Sequence, residues 1–361
     1  MTWLIDARTL ASRPTGIGMY AKRHIVRLQR EETAARFVLV CDVRESAEIR
    51  ELEALGMEVL VYGKRVFNST GVLGYFRFVR RVVAVVKPDV FWQPNNVQPF
   101  RPKGVGRVIV TMHDVFGLKE WSWRYAVWHL YCRLSFWRTL RNVTEIWFNS
   151  RETESAVRAA VPRQLAQLTA KVVYPITEVP AREAVTPYES VRPFFLYVGN
   201  IEFRKGADIL ISAYVRYRQK ALAVGREPFD LVFAGIEKNI QVPCTDGIVV
   251  LGYVSEQEKF SLMCSCVAMV VPSRAEGYGM QVAEAAALGV RCIASDLSVF
   301  HEIDATRRET FRVGDFGELS ERLVGVSLME EVDGGADRAG GGYVYMKEHR
   351  DGTDEVKSLA V

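Results

Sequence analysis

Short β-branched runs alternate with helix-period segments along most of the chain, and the alternation starts twice. In the first half WLIDA (3–7), FVLVCD (37–42), MEVLVYG (57–63), PDVFWQP (88–94), RVIVTMHD (107–114) and TEIWFNS (144–150) read as strands. Helical patterns run from about Met19 to Arg30, from Tyr75 to Lys87 and over residues 121–141. Strands joined by helix-length crossovers pair in parallel, so the fold class is α/β. PITEVPAREAVTPYESVRP (175–193) then carries four prolines and no sustained period. The pattern resumes with strands FFLYVGN (194–200), DLVFAG (230–235), GIVVLGYV (247–254), VAMVVPS (267–273) and VRCIAS (290–295). Helices fall at about 207–223, 256–264 and 280–288.

The expected organisation is therefore two Rossmann-like domains, 1–175 and 194–330, joined by a linker at 176–193. Ligands of such sheets collect at the C-terminal ends of the strands, which places the expected site in a cleft between the domains. Residues 331–361 are Gly-rich and charged, and read as a poorly packed tail. No aromatic-bearing helix is evident after Val313.

Composition narrows the class. The chain has 361 residues, 49% hydrophobic and 25% charged, which excludes a disordered or collagen-like polymer. No run of 18 apolar residues offers a spanning helix. Asp6 and Arg8 interrupt the apolar start, so no signal peptide is expected and a cytoplasmic location follows. The six cysteines include no CxxC and read as reduced, buried apolar groups. Residues 1–150 hold 23 Lys and Arg against 13 Asp and Glu, while the rest is acidic. A basic, Trp-bearing half and an acidic half suggest different jobs.

Four stretches carry chemistry. In VPSRAEGYGMQVAEAAALGVRCIASD (271–296) a strand ends at Ser273 and a loop leads into a helix. Gly277 and Gly279 permit close backbone approach to a ligand. The first helical turn, from Met280 and Gln281, points its amides at an anion or at sugar hydroxyls. Glu276 in the loop and Glu284 in the helix supply two carboxylates able to accept from a diol. In YVGNIEFRKGADILISAY (197–214), Gly199 ends a strand and Arg204-Lys205 offer paired cations for a diphosphate. In TMHDVFGL (111–118), His113 lies at a strand's C-terminal end. In RPTGIGMYAKRHI (13–25), Gly16 and Gly18 follow the first strand. A dinucleotide fingerprint would need a third glycine where Ala21 stands.

Residues 249–303, with EGYGMQVAE at their centre, resemble the retaining glycosyltransferases of family 4, which have the GT-B fold. Tyr278 stands where that family usually has Phe, and Met280-Gln281 where it usually has Leu-Pro. The resemblance implies that Glu284 holds the nucleotide ribose and Glu276 the donor sugar near its reacting carbon. It assigns Arg204 and Lys205 to the diphosphate, and His113 to the sugar from the N-terminal domain. Gly16 and Gly18 would border the donor phosphates and the acceptor pocket, and backbone near Gly252–Val254 would select the base. The donor would lie mainly on residues 194–315 and the acceptor mainly on residues 1–175.

The implied partners are a GDP- or UDP-linked sugar and a glycan or lipid-linked acceptor, in polysaccharide or glycolipid assembly. No cofactor is expected. No Asp-x-Asp, HExxH or Cys/His cluster occurs, so no metal is expected. Two rivals share the fold: a nucleotide-sugar epimerase and a degenerate, binding-only protein. The basic aromatic stretches VLGYFRFVRRVVAVVK (72–87) and WSWRYAVWHLYCRLSFWRTLR (121–141) admit two readings. One is peripheral contact with an anionic membrane at its cytoplasmic face, and the other is a core-facing helix with a solvated rim. No motif for nucleic acid accompanies them.

Overall fold

The computed structural model describes residues 1–12, 14–66, 69–114, 126–303 and 308–332. The chain divides into two compact units, Met1–Ile176 and a second beginning at Thr177.

In the first unit, seven parallel strands form one sheet in the order β3-β2-β1-β4-β5-β6-β7. They are β1 (Thr2–Asp6), β2 (Arg36–Cys41), β3 (Glu58–Val61), β4 (Val90–Gln93), β5 (Arg107–Met112), β6 (Glu145–Phe148) and β7 (Thr169–Val172). The helices are α1 (Gly16–Glu31), α2 (Ala47–Ala54), α3 (Ser69–Val86), α4 (Ala126–Asn142), α5 (Arg151–Ala160) and the single turn α6 (Pro162–Leu165). Alternate strand residues serve opposite faces. Leu4, Val38, Phe91 and Val110 pack with Tyr75 and Val79 of α3 and Phe136 and Leu140 of α4. Trp3, Ile5, Leu39 and Trp92 pack with Tyr20 and Ile25 of α1 and Ile49 and Leu52 of α2.

The second unit repeats the plan with β8 (Phe194–Val198), β9 (Asp230–Ala234), β10 (Ile248–Gly252), β11 (Ala268–Val271), β12 (Cys292–Ser295) and β13 (Arg308–Phe311). Their order is β10-β9-β8-β11-β12-β13, again all parallel. The helices are α7 (Ala207–Ala223), α8 (Glu256–Ser265), α9 (Met280–Ala287) and α10 (Phe316–Val332). Ser255 and Glu258 form a reciprocal capping box at the start of α8. In each sheet the order reverses beside the first strand, and loops at the strand C-terminal ends converge there.

The structure departs from the sequence reading in several places. A helix that the sequence did not reveal follows Val313 and stays on the second unit: α10 seats Leu319, Leu323 and Val326 against Leu210, Tyr214 and Tyr217 of α7. Its i, i+4, i+7 apolar set is diluted in sequence by Gly317, Gly325 and four glutamates. The edge strands β7 (TAKV) and β13 (RETF) are short and polar, which hid them. Part of the proline-rich stretch is fixed to the second unit. Arg182 donates to the carbonyls of Leu288 (2.9 Å) and Cys264 (3.3 Å), and Val179, Val185 and Tyr188 pack on that unit's core. Residues 333–361 of the expected tail, Val115–Leu118 beyond His113, and Trp121, Trp123 and Tyr125 of the basic aromatic stretch lie outside the described residues.

Candidate functional site

The second unit gathers the charged residues at adjoining loops after β8 and β11, which pair in parallel. After β8 the chain passes Gly199 and makes a short turn, Phe203–Lys205, closed by Gly206. Gly206 sits at φ 69°, and a Cβ there would lie 1.9 Å from the Pro272 carbonyl oxygen. Only glycine therefore lets the Arg204–Lys205 turn press onto the end of β11. Gly199 lies beside the same lysine, since a Cβ there would be 3.2 Å from Lys205 Nζ.

Arg274 stitches the two loops together. Its backbone N–H donates to the Arg204 carbonyl at 2.8 Å. Its guanidinium grips both Asp208 oxygens at 2.7 Å, donates to the Phe203 carbonyl at 2.6 Å and stacks 3.7 Å from the Phe203 ring centre. Such a bidentate pair fixes orientation as well as charge.

Glu276 is the centre of this cluster. Lys205 Nζ lies 3.2 Å from its Oε1, and the Ser273 hydroxyl donates to the same oxygen at 3.0 Å. Gln281 Nε2 donates to it at 3.3 Å, and Arg204 reaches Oε2 at 3.4 Å. Arg204 also donates to the Ala275 carbonyl (2.9 Å) and to Glu202 (2.7 Å). Burial pushes the Glu276 carboxyl upward. The charge of Lys205, then that of Arg204, and the Ser273 hydrogen bond outweigh it and hold the group below the ordinary glutamate value. Glu276 is thus an ionised, largely buried carboxylate. Arg204 is the more open of its two cations, 36% exposed against 15% for Lys205, and so the more reachable by a ligand.

Glu284 lies one turn into α9, buried, with Lys259 of α8 2.9 Å from its Oε1. Lys259 also pairs with Glu256 at 2.7 Å and rests 4.4 Å from the Phe260 ring centre. Helix α9 begins at Met280 behind Gly279, which offers no side-chain cap. Gly279 adopts φ 102°, and a Cβ there would strike the Phe300 ring at 2.4 Å. The positive end of the helix dipole therefore faces the loop that holds Gly277 and Tyr278. Tyr278 and, just beyond β10, Val254 pack on the core beneath these loops.

In the first unit His113 directly follows β5. It is buried, with Nε2 3.0 Å from the Pro94 carbonyl oxygen, its N–H donating to Asn96 (2.8 Å), and its carbonyl accepting from Asn149 (3.0 Å). Burial lowers its pKa to about 4, so the ring is neutral near pH 7. A carbonyl can only accept, which assigns the ring proton to Nε2 and leaves Nδ1 as the acceptor. The Tyr20 ring of α1 stands edge-on to His113 at 4.9 Å, so helix α1 and the end of β5 meet here. Gly16 and Gly18 fall in the first turn of α1 rather than in the loop before it. A Cβ on Gly18 would lie 2.2 Å from the Thr9 carbonyl oxygen, so close packing accounts for this glycine.

Arg204, Lys205, Ser273, Glu276 and Gln281 are thus brought together, with Glu284 one turn further along α9. Lys259, Asp208 and Arg274 complete the arrangement and were not singled out by sequence. Lys259 meets its partner across two helices, with no local spacing to betray it.

Residues 192–326 match the family described as Glycosyl transferases group 1. An O-antigen chain mannosyltransferase C from Escherichia coli is 32% identical over 95 residues, which is 26% of this chain and 25% of that protein. The match therefore spans about a quarter of the curated relative. A crystal structure of Anabaena HepE in complex with UDP and glucose superposes with a TM-score of 0.64 at 17% identity, covering 92% of this chain and 91% of that one. Sucrose-phosphate synthase from Thermosynechococcus elongatus gives a TM-score of 0.65 at 13% identity, covering 92% and 90%. The second unit is thus similar to the glycosyltransferase group 1 domain over residues 192–326, and the chain has the GT-B fold of these structural neighbours.

Proposed function

We propose that the chain is a retaining, metal-independent glycosyltransferase that moves a hexose from a GDP- or UDP-linked donor to a hydroxyl of a glycan or lipid-linked acceptor. The observation that carries this reading is the meeting of Arg204, Lys205 and Glu276 from two neighbouring strand ends. Arg204 and Lys205 balance the diphosphate, whose charge grows as the glycosidic bond breaks, so they favour the transition state over the ground state. The α9 N-terminus, with Gly277, Gly279, Met280 and Gln281, adds amide dipoles to the same anion. Glu284 accepts from the ribose hydroxyls. Glu276, kept ionised by its cations, faces the electron-poor anomeric carbon. The departing diphosphate oxygen takes the proton of the incoming hydroxyl, so no separate base is required. His113, neutral and with Nδ1 as its accepting nitrogen, suits a sugar hydroxyl. The relative named as an O-antigen chain mannosyltransferase supports a hexosyl donor and a role in bacterial polysaccharide or lipopolysaccharide assembly.

The test is a transfer assay with GDP- and UDP-hexoses read by proton NMR. A product with the donor's anomeric configuration supports the reading. Inversion would refute the retaining mechanism, and a new sugar released without acceptor would favour an epimerase.

A further inference from the structure

Helices α3 and α4 and the loop between β4 and β5 enclose a groove of about 1000 Å³ in the first unit. Five cations line it: Arg80 from α3, Arg101 and Lys103 from the loop, and Arg138 and Arg141 from α4. No carboxylate is among the described residues that line it. Arg80 lies 4.7 Å from the Phe100 ring centre, Arg138 donates to the Pro99 carbonyl at 2.6 Å, and Arg101 reaches the Val143 carbonyl at 3.5 Å. Among the described residues these contacts are with one ring and two carbonyls, which carry no negative charge to balance the cations. Beside it α4 turns apolar side chains to solvent at helical spacing: Leu130 is 54% exposed, Leu134 61% and Trp137 38%. Leu134 and Trp137 line the groove itself.

We infer that this face docks on an anionic lipid bilayer, with phosphate headgroups in the groove and the Leu130–Leu134–Trp137 stripe in the headgroup–acyl boundary. Charge complementarity selects an anionic surface, since five like charges without a carboxylate repel one another until an anion joins them. The apolar stripe selects a lipid over a soluble polyanion, because nucleic acid or an acidic glycan gives those side chains no apolar phase. Among the described residues no helix is long and apolar enough to cross a membrane, so the contact is peripheral. The inference stands on the first unit alone and does not depend on the reaction proposed for the second.

The experiment is flotation of the full chain with vesicles of phosphatidylcholine, with and without phosphatidylglycerol. Binding is expected only with phosphatidylglycerol, and it weakens in high salt. Arg138→Glu with Arg141→Glu lowers the partition constant about tenfold or more. Leu134→Ser with Trp137→Ser lowers it several-fold. The exposed pair Arg50→Glu and Arg163→Glu, with the same net charge change, leaves it within about twofold. Absence of wild-type binding to the anionic vesicles overturns the inference whatever the variants do. So does an equal loss in the control pair, or binding to a DNA duplex in place of vesicles.

Discussion

Lys205 Nζ lies 3.2 Å from Oε1 of Glu276 and contacts the oxygen that also accepts from Ser273. The cation proposed to hold the donor diphosphate is therefore the cation that keeps the candidate catalytic carboxylate ionised. A diphosphate entering the loop competes with Glu276 for Lys205 and Arg204, so ligand affinity and carboxylate charge are linked through one ion-pair cluster.

That competition separates binding from turnover. Glu276→Gln removes the carboxylate charge while keeping its shape, so nucleoside diphosphate affinity is expected to hold or rise. Sugar transfer is expected to fall by roughly 10²-fold or more, the scale of a lost electrostatic group at a reacting centre. Calorimetric Kd and initial transfer rates check this, and an unchanged kcat would remove Glu276 from the chemistry.

The phosphate and ribose contacts are separable in the same way. Arg204→Ala or Lys205→Ala removes a charge-assisted contact of about 1.5–3 kcal/mol, which weakens nucleoside diphosphate and free pyrophosphate alike by roughly 10–100-fold. Glu284→Gln is expected to weaken the nucleoside diphosphate and leave pyrophosphate unaffected. Competition binding with both ligands distinguishes the two assignments.

The Arg204–Lys205 turn tolerates no side chain at its end. Gly206→Ala forces a Cβ toward the Pro272 carbonyl at a positive φ. A loss of about 2–4 kcal/mol is expected, the range of strained backbone and steric conflict. At about 2–4 °C per kcal/mol for a domain of this size, the melting temperature should drop by several degrees. An unchanged melting curve would contradict the described turn.

Acid should destabilise the first unit through two histidines. His24 and His113 are buried, and desolvation lowers both pKa values to about 4 from an ordinary 6.5. The unfolded chain therefore binds these protons first as the pH falls. Their contribution to stability is complete above about pH 6.5 and is lost progressively down to about pH 4. Within that window each ring costs roughly 1.4 kcal/mol for every pH step of one. The depressed Glu276 adds its loss only below the ordinary glutamate range. Denaturant midpoints measured from pH 7.5 to 5 check this, and His113→Asn should shallow the slope.

The fold was legible because parallel strands buried on both faces appear as apolar runs, from WLID through CIAS. Arg204, Lys205, Glu276 and Glu284 were legible because each stands at a strand end or helix start that sequence can place. Arg274 and Lys259 were not, since their partners Asp208 and Glu284 are reached across loops or helices. Helix α10 was hidden because its three core contacts sit among glycines and glutamates, and its stability comes from docking on α7 rather than from its own propensity.

The central claim is that the second unit holds a nucleoside diphosphate sugar at the Arg204–Lys205–Glu276 cluster. A thermal-shift panel of UDP, GDP, ADP, their hexose conjugates and NAD tests it most directly. At least one nucleoside diphosphate is expected to raise the melting temperature, and the rise should disappear in Arg204→Ala with Lys205→Ala. Stabilisation by NAD with none by any nucleoside diphosphate would contradict it.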